Sequence, residues 1–310
     1  MSEHISNEQL KNAEQVFTSE PQMAEVEITS AEEALNDHNA FKKSYSWLDV
    51  VVMIAVFLLS QAMGGALAIL IGVRYPDEVM LNSFDVDVQE QVSFMQARFV
   101  AVGYLISMVI CLVFLWWYKH VRRLPLEMKF RMLGWASPFR LLCGYLLLWV
   151  FTVALEPLTA ILPGDQSSMG SGGWLLVSAV VLAPVFEEVL FRGYIAGTLR
   201  YAYGAVAAWV ISALLFAVVH AIPSVMVAAL FSGLVLSFYY LRYRSLVMVI
   251  LLHAMNNATA CFLQTIDMSD VTLHQLLGGG KLYWSIYACA LVIALVALLR
   301  MFKLLRMAKK

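Results

Sequence analysis

The chain has 310 residues, 61% of them hydrophobic and only 14% charged, with a mean hydropathy of +0.74. Soluble domains carry far less apolar sequence, so these values exclude them and imply an all-α, polytopic membrane protein. The formal net charge of -1 says little about partners, because it averages two unlike ends: Met1–Asn39 holds nine acidic residues against Lys11 alone, while nothing after Asp270 is acidic.

Residues 1–44 are polar, acidic and poor in bulky apolar side chains, which reads as a cytoplasmic tail without a packed core. They lack the basic start and apolar stretch of a cleavable signal, so the first span is expected to target the chain. Residues 45–310 form the expected transmembrane domain. Its first span is Trp47–Val73, with Gly64 and Gly65 suited to close helix contact, and its second is Phe99–Tyr118, after an acidic connection. The segment from Lys119 to Arg140 sets six cations against Glu127, which places it in the cytoplasm by the positive-inside rule. A third span, Leu141–Leu162, leads to an external loop of turn formers, and a fourth begins at Trp174 and runs to about Ile195. The fifth runs from Gly204 to His220, the sixth from Val225 to Tyr240, the seventh from Leu246 to Leu263 and the eighth from Tyr283 to Phe302. A bundle of about eight helices with both termini cytoplasmic follows.

Four lone cysteines, Cys111, Cys143, Cys261 and Cys289, form no CxxC pair and read as small packing residues. The chain shows no internal repeat and no nucleotide-binding glycine pattern. The partners it implies are the lipid bilayer and a peptide or protein substrate, not nucleic acid.

The fourth, fifth and seventh spans carry the chemistry. Phe186-Glu187-Glu188-Val189-Leu190-Phe191-Arg192 sets two carboxylates and a guanidinium after an almost wholly apolar run. Ionisable groups at membrane depth cost several kcal/mol each, on the order of 3 by insertion scales, and are kept where they face a protein interior or a wet cavity. Glu188 and Arg192 stand at i and i+4, where opposite charges meet, while Glu187 is rotated by about 100°. Phe216 and His220, and His253 and Asn257, repeat the i,i+4 spacing.

These residues resemble the CPBP family of intramembrane proteases, the CAAX proteases and bacteriocin-processing enzymes also called Abi. The match is to Glu-Glu-x-x-x-Arg at Glu187, Glu188 and Arg192, Phe-x-x-x-His at Phe216 and His220, and His-x-x-x-Asn at His253 and Asn257, in order within 174–263. The resemblance implies a membrane-embedded endopeptidase acting on prenylated or bacteriocin-like substrates in a bacterial cytoplasmic membrane. Carried over by motif, Glu187 and His220 activate water, His253 and Asn257 stabilise the oxyanion, and Arg192 holds Glu188.

Family members are often called metalloproteases, and Glu187, His220 and His253 would suit a divalent metal such as zinc with an open fourth position. Water held directly by Glu187 and His220 needs none, so the cofactor stays open. A catalytically silent scaffold and a proton-coupled transporter are the competing functions. Helix rise sets His220 more than about 10 Å above Glu187 and His253 if the fifth span enters at Gly204, which calls for a large tilt.

The topology is checked by cysteine labelling of Asp85 and Lys129 in intact cells. The two should label from opposite sides of the membrane; labelling from one side would overturn the assignment.

Overall fold

Apolar runs of about twenty residues leave the backbone no partner but itself in a bilayer, and each becomes a helix. The computed structural model describes residues 47–124, 126, 128–130, 134, 137–164, 170–266, 268–269 and 271–307. The expected acidic tail, 1–44, lies outside them. The long helices are α1 Trp47–Leu70, α2 Val86–Val121, α3 Ser137–Thr159, α4 Gly173–Tyr203, α5 Ala205–Val218, α6 Pro223–Tyr243, α7 Leu246–Thr265 and α8 Lys281–Met307.

The all-α polytopic class holds, and no strand occurs among the described residues. Seven helices are long and apolar enough to cross a membrane, while α5, at 14 residues, is shorter. Two boundaries differ most from those read in the sequence. Helix α2 begins at Val86 rather than Phe99, with Asp85 capping it by accepting from the Asp87 and Val88 N–H groups at 2.9 and 3.4 Å. Acidic residues near a helix start favour the macrodipole, so Asp87 and Glu90 extend the helix instead of breaking it. Helix α4 runs on to Tyr203 and ends at Gly204, whose φ of +87° is a conformation that favours glycine.

Helices α4 and α6 form the core. Every residue from Leu190 to Leu199, and from Val235 to Leu241, is buried, the pattern of helices packed in protein on all sides. Helix α4 touches α2 on one side and α7 on another, while α6 packs on α5 and α3. Side chains such as Leu58, Leu59, Val292 and Leu295 stay exposed on α1 and α8, a surface suited to lipid. The four cysteines are free, two buried and two exposed.

Helix α1 lies against α2, joined at one end by a polar clamp. Asp49, buried in the first turn of α1, accepts from the Tyr118 hydroxyl at 2.6 Å and from Arg122 Nε at 3.0 Å. Farther along, Gly64 admits the α2 backbone: a Cβ there would press into the Gly103 carbonyl and come within 2.6 Å of Ser107 Cβ. A Cβ on Gly103 would meet Gly65 Cα at 3.6 Å and the Gly64 carbonyl at 3.7 Å, ordinary contacts. Overpacking costs about 1–3 kcal/mol, so Gly64→Ala should melt clearly lower in detergent than Gly103→Ala, which should stay near the parent. Equal melting of the two variants would overturn this packing.

Candidate active site

The site is built around α4, whose winding changes along its length. Two π-helical segments, Val177–Leu182 and Val189–Ile195, flank a short α-helical segment, Ala183–Glu188, that carries both glutamates. Such π turns recur at functional sites. The first has a local cause in Pro184. The Ala183 N–H bonds five residues back, to the Ser178 carbonyl. Continuing that register would pair Ala179 with residue 184, but proline has no N–H to give. Asn257 supplies the missing donor, its Nδ2 reaching the Ala179 carbonyl at 2.8 Å.

Glu188 is wholly buried and its Oε1 accepts twice, from Arg192 Nη1 at 2.9 Å and from His253 Nδ1 at 2.8 Å. Arg192, also wholly buried, donates from Nη2 to the Gly233 carbonyl at 3.2 Å and lies 4.5 Å over the Phe216 ring. One carboxylate thereby ties α4 to α7, and its guanidinium partner ties α4 to α5 and α6. The His253 link was not part of the sequence reading, which paired Glu188 with Arg192 alone.

Glu187 points elsewhere. Its Oε1 accepts from the Tyr104 hydroxyl of α2 at 2.9 Å, and its Oε2, buried and without a protein hydrogen-bond partner, lies 4.0 Å from His253 Nε2. That spacing is too long for a hydrogen bond and leaves both atoms within reach of one shared oxygen. His220, just beyond the end of α5, directs Nδ1 to the Phe216 carbonyl at 2.7 Å. The Phe216 ring contacts both His220 and His253, with centroid distances of 4.8 and 5.8 Å. The hydrogen bonds of Glu187 and His220 therefore run to different partners, and the motif residues meet through Phe216 and His253. Ala221, directly after His220, holds φ at +60°, a strained value for a residue with a side chain.

The level of His220 needs no large tilt. Because α4 continues to Tyr203, the turn at Gly204 is about equally far in sequence from Glu187 and from His220. At 1.5 Å per residue each lies roughly 25 Å from that turn, and the antiparallel pair returns to one level.

Among the described residues no group of three or more His, Cys, Asp or Glu is arranged to hold a metal ion. Glu188 holds Nδ1 of His253 and the Phe216 carbonyl holds Nδ1 of His220, which leaves Nε2 as the second nitrogen of each ring.

Sequence reasoning missed Tyr104, which has no charge and no motif spacing to mark it. Outside the motifs, Glu156 caps the Leu273–Leu276 turn by accepting from the Leu273 and His274 N–H groups at 3.1 and 2.8 Å. His120 bonds the Trp116 carbonyl at 2.7 Å.

The helical bundle thus encloses a buried cluster of carboxylate, imidazole and guanidinium groups. Residues 170–259 match the family described as type II CAAX prenyl endopeptidase Rce1-like. The resemblance seen in the motifs is thus borne out over that stretch. No curated protein and no solved structure matches the chain.

Glu188→Gln removes the charge that neutralises wholly buried Arg192. Breaking a buried pair in this way costs about 3–5 kcal/mol, so this variant should show a sharply lowered melting temperature and less folded protein in detergent. A parent-like melt would refute the structural weight placed on the pair.

Proposed function

We propose that the protein is a CAAX-type intramembrane endopeptidase that hydrolyses peptide bonds of membrane-associated substrates with water activated by Glu187. The observation that carries this reading is the buried, unpartnered Oε2 of Glu187, 4.0 Å from His253 Nε2. The family description supports a prenylated C-terminal peptide as the substrate class.

Charge balance supports the division of roles. Glu188 and Arg192 cancel, so an ionised Glu187 is balanced when His253 carries a proton on both nitrogens. In that state Nδ1–H donates to Glu188 and Nε2–H is free to donate to a substrate oxygen. Glu187 takes a proton from water, and the hydroxide adds to the scissile carbonyl carbon. The oxyanion accepts from His253 Nε2–H and from the second N–H of Asn257, whose first is held by Ala179. The tetrahedral intermediate then collapses, the C–N bond breaks, and Glu187 returns its proton to the leaving amine. His220, with Nδ1–H held by the Phe216 carbonyl, offers Nε2 as the second proton carrier. Every step uses this chain's own side chains and one water.

Glu187→Gln tests the reading, because an amide oxygen still accepts from Tyr104 while the base is lost. Cleavage of a fluorogenic prenylated Cys-aliphatic-aliphatic-X peptide should fall by at least about 100-fold, with a melt near that of the parent. Comparing membrane peptides from cells expressing the parent or Glu187→Gln would identify the natural cleavage site. Parent-like turnover by Glu187→Gln would remove Glu187 from the chemistry.

A further inference from the structure

Tyr104 stands on α2, outside the stretch 170–259 that matches the protease family, yet it makes a hydrogen bond to Glu187. A carboxylate has two equivalent oxygens, and rotation about its last bond lets either one face a neighbour. The Tyr104 hydroxyl, 2.9 Å from Oε1, removes that freedom and sets the plane of the group. Oε2 is then the oxygen turned toward His253, at 4.0 Å. Without the tether, a small rotation would bring the carboxylate into direct hydrogen bonding with His253 and close the gap that an oxygen atom needs.

Tyr104 is itself held in place. Its carbonyl accepts from Ser107 Oγ at 2.8 Å, and the same hydroxyl lies 3.2 Å from Gln61 Oε1 on α1. Gly64 brings α1 against Gly103, the residue before Tyr104, and the Tyr104 ring meets Phe186 edge-on at 6.4 Å. Helices α1 and α2 thus brace the phenol against α4 from outside the family-matched segment.

We propose that Tyr104 is a positioning residue of the active site: it tethers Oε1 of Glu187 and so keeps Oε2 one oxygen's width from His253. This rests on the reading of Glu187 as the base. It makes the α1–α2 pair part of the catalytic apparatus and not only a membrane anchor.

The test is Tyr104→Phe in the full-length chain, which keeps the ring and deletes the hydroxyl. With the prenylated Cys-aliphatic-aliphatic-X peptide, kcat should fall on the order of 10–100-fold, the scale of a misplaced reacting group, at unchanged KM and melting temperature. Infrared difference spectra of Tyr104→Phe against the parent should show a shifted carboxylate stretch. The shift should vanish when both proteins also carry Glu187→Gln, a dependence that a merely structural tyrosine would not show. Should Tyr104→Phe melt low, Tyr104→Leu is measured in the same way, and a carboxylate shift in the folded fraction of either variant supports the tether.

The two readings fail separately. If Glu187→Gln abolishes cleavage while Tyr104→Phe keeps parental kcat, the positioning role is wrong and the protease reading stands. If the parent cleaves nothing, the infrared arm still decides the tether, and a shift that survives Glu187→Gln overturns it.

Discussion

The site depends on one oxygen, Oε1 of Glu188, which accepts from both Arg192 and His253 inside a protein that excludes water from all three. In such surroundings an unpaired charge costs several kcal/mol, about 3–5 when a buried partner is removed, so these groups hold one another in place. Each bond draws in a different helix. His253 fixes α7 against α4, and Arg192 reaches the Gly233 carbonyl on α6 and covers Phe216 on α5. Four helices are therefore registered by one carboxylate, and the neighbouring Glu187 is left unencumbered by that network.

Much of this was legible because the residues concerned are costly at membrane depth. The i,i+4 spacing of Glu188 and Arg192 announced their pairing, and the intervals between motifs placed them on three separate helices. Other features carry no such mark. The link between Glu188 and His253 joins residues far apart in sequence, and nothing local encodes it. Tyr104 is one of 13 tyrosines, and its value lies wholly in which carboxylate its hydroxyl meets. Asp49 was missed for a related reason, since an acidic residue at the start of a span reads as an interfacial group when its partners, Tyr118 and Arg122, come from the end of the next helix.

Pro184 marks a middle case. Its missing N–H was visible, but the consequence required knowing that the preceding turns wind as a π-helix, so that the unfilled carbonyl is that of Ala179 and the donor comes from Asn257. A helix-packing role for Asn257 and the oxyanion role proposed for it are consequently not exclusive. One N–H holds α7 to α4, and the second takes no part in that bond. The packing contact and the proposed oxyanion contact thus call on the two hydrogens of one nitrogen.

Helix length settles where this chemistry sits. Had α4 ended near Ile195, the chain would have turned back too early and carried His220 past the glutamates. Its continuation to Tyr203 lengthens the descent by about two turns, and the short α5 then climbs back to end beside them. The all-buried stretch Leu190–Leu199 makes that continuation stable, because it is packed in protein along its whole circumference. The same extra length that buries the core of α4 therefore sets the height of His220, and Gly204, free to adopt its positive φ, lets two antiparallel helices meet with no connecting loop to absorb an error in register.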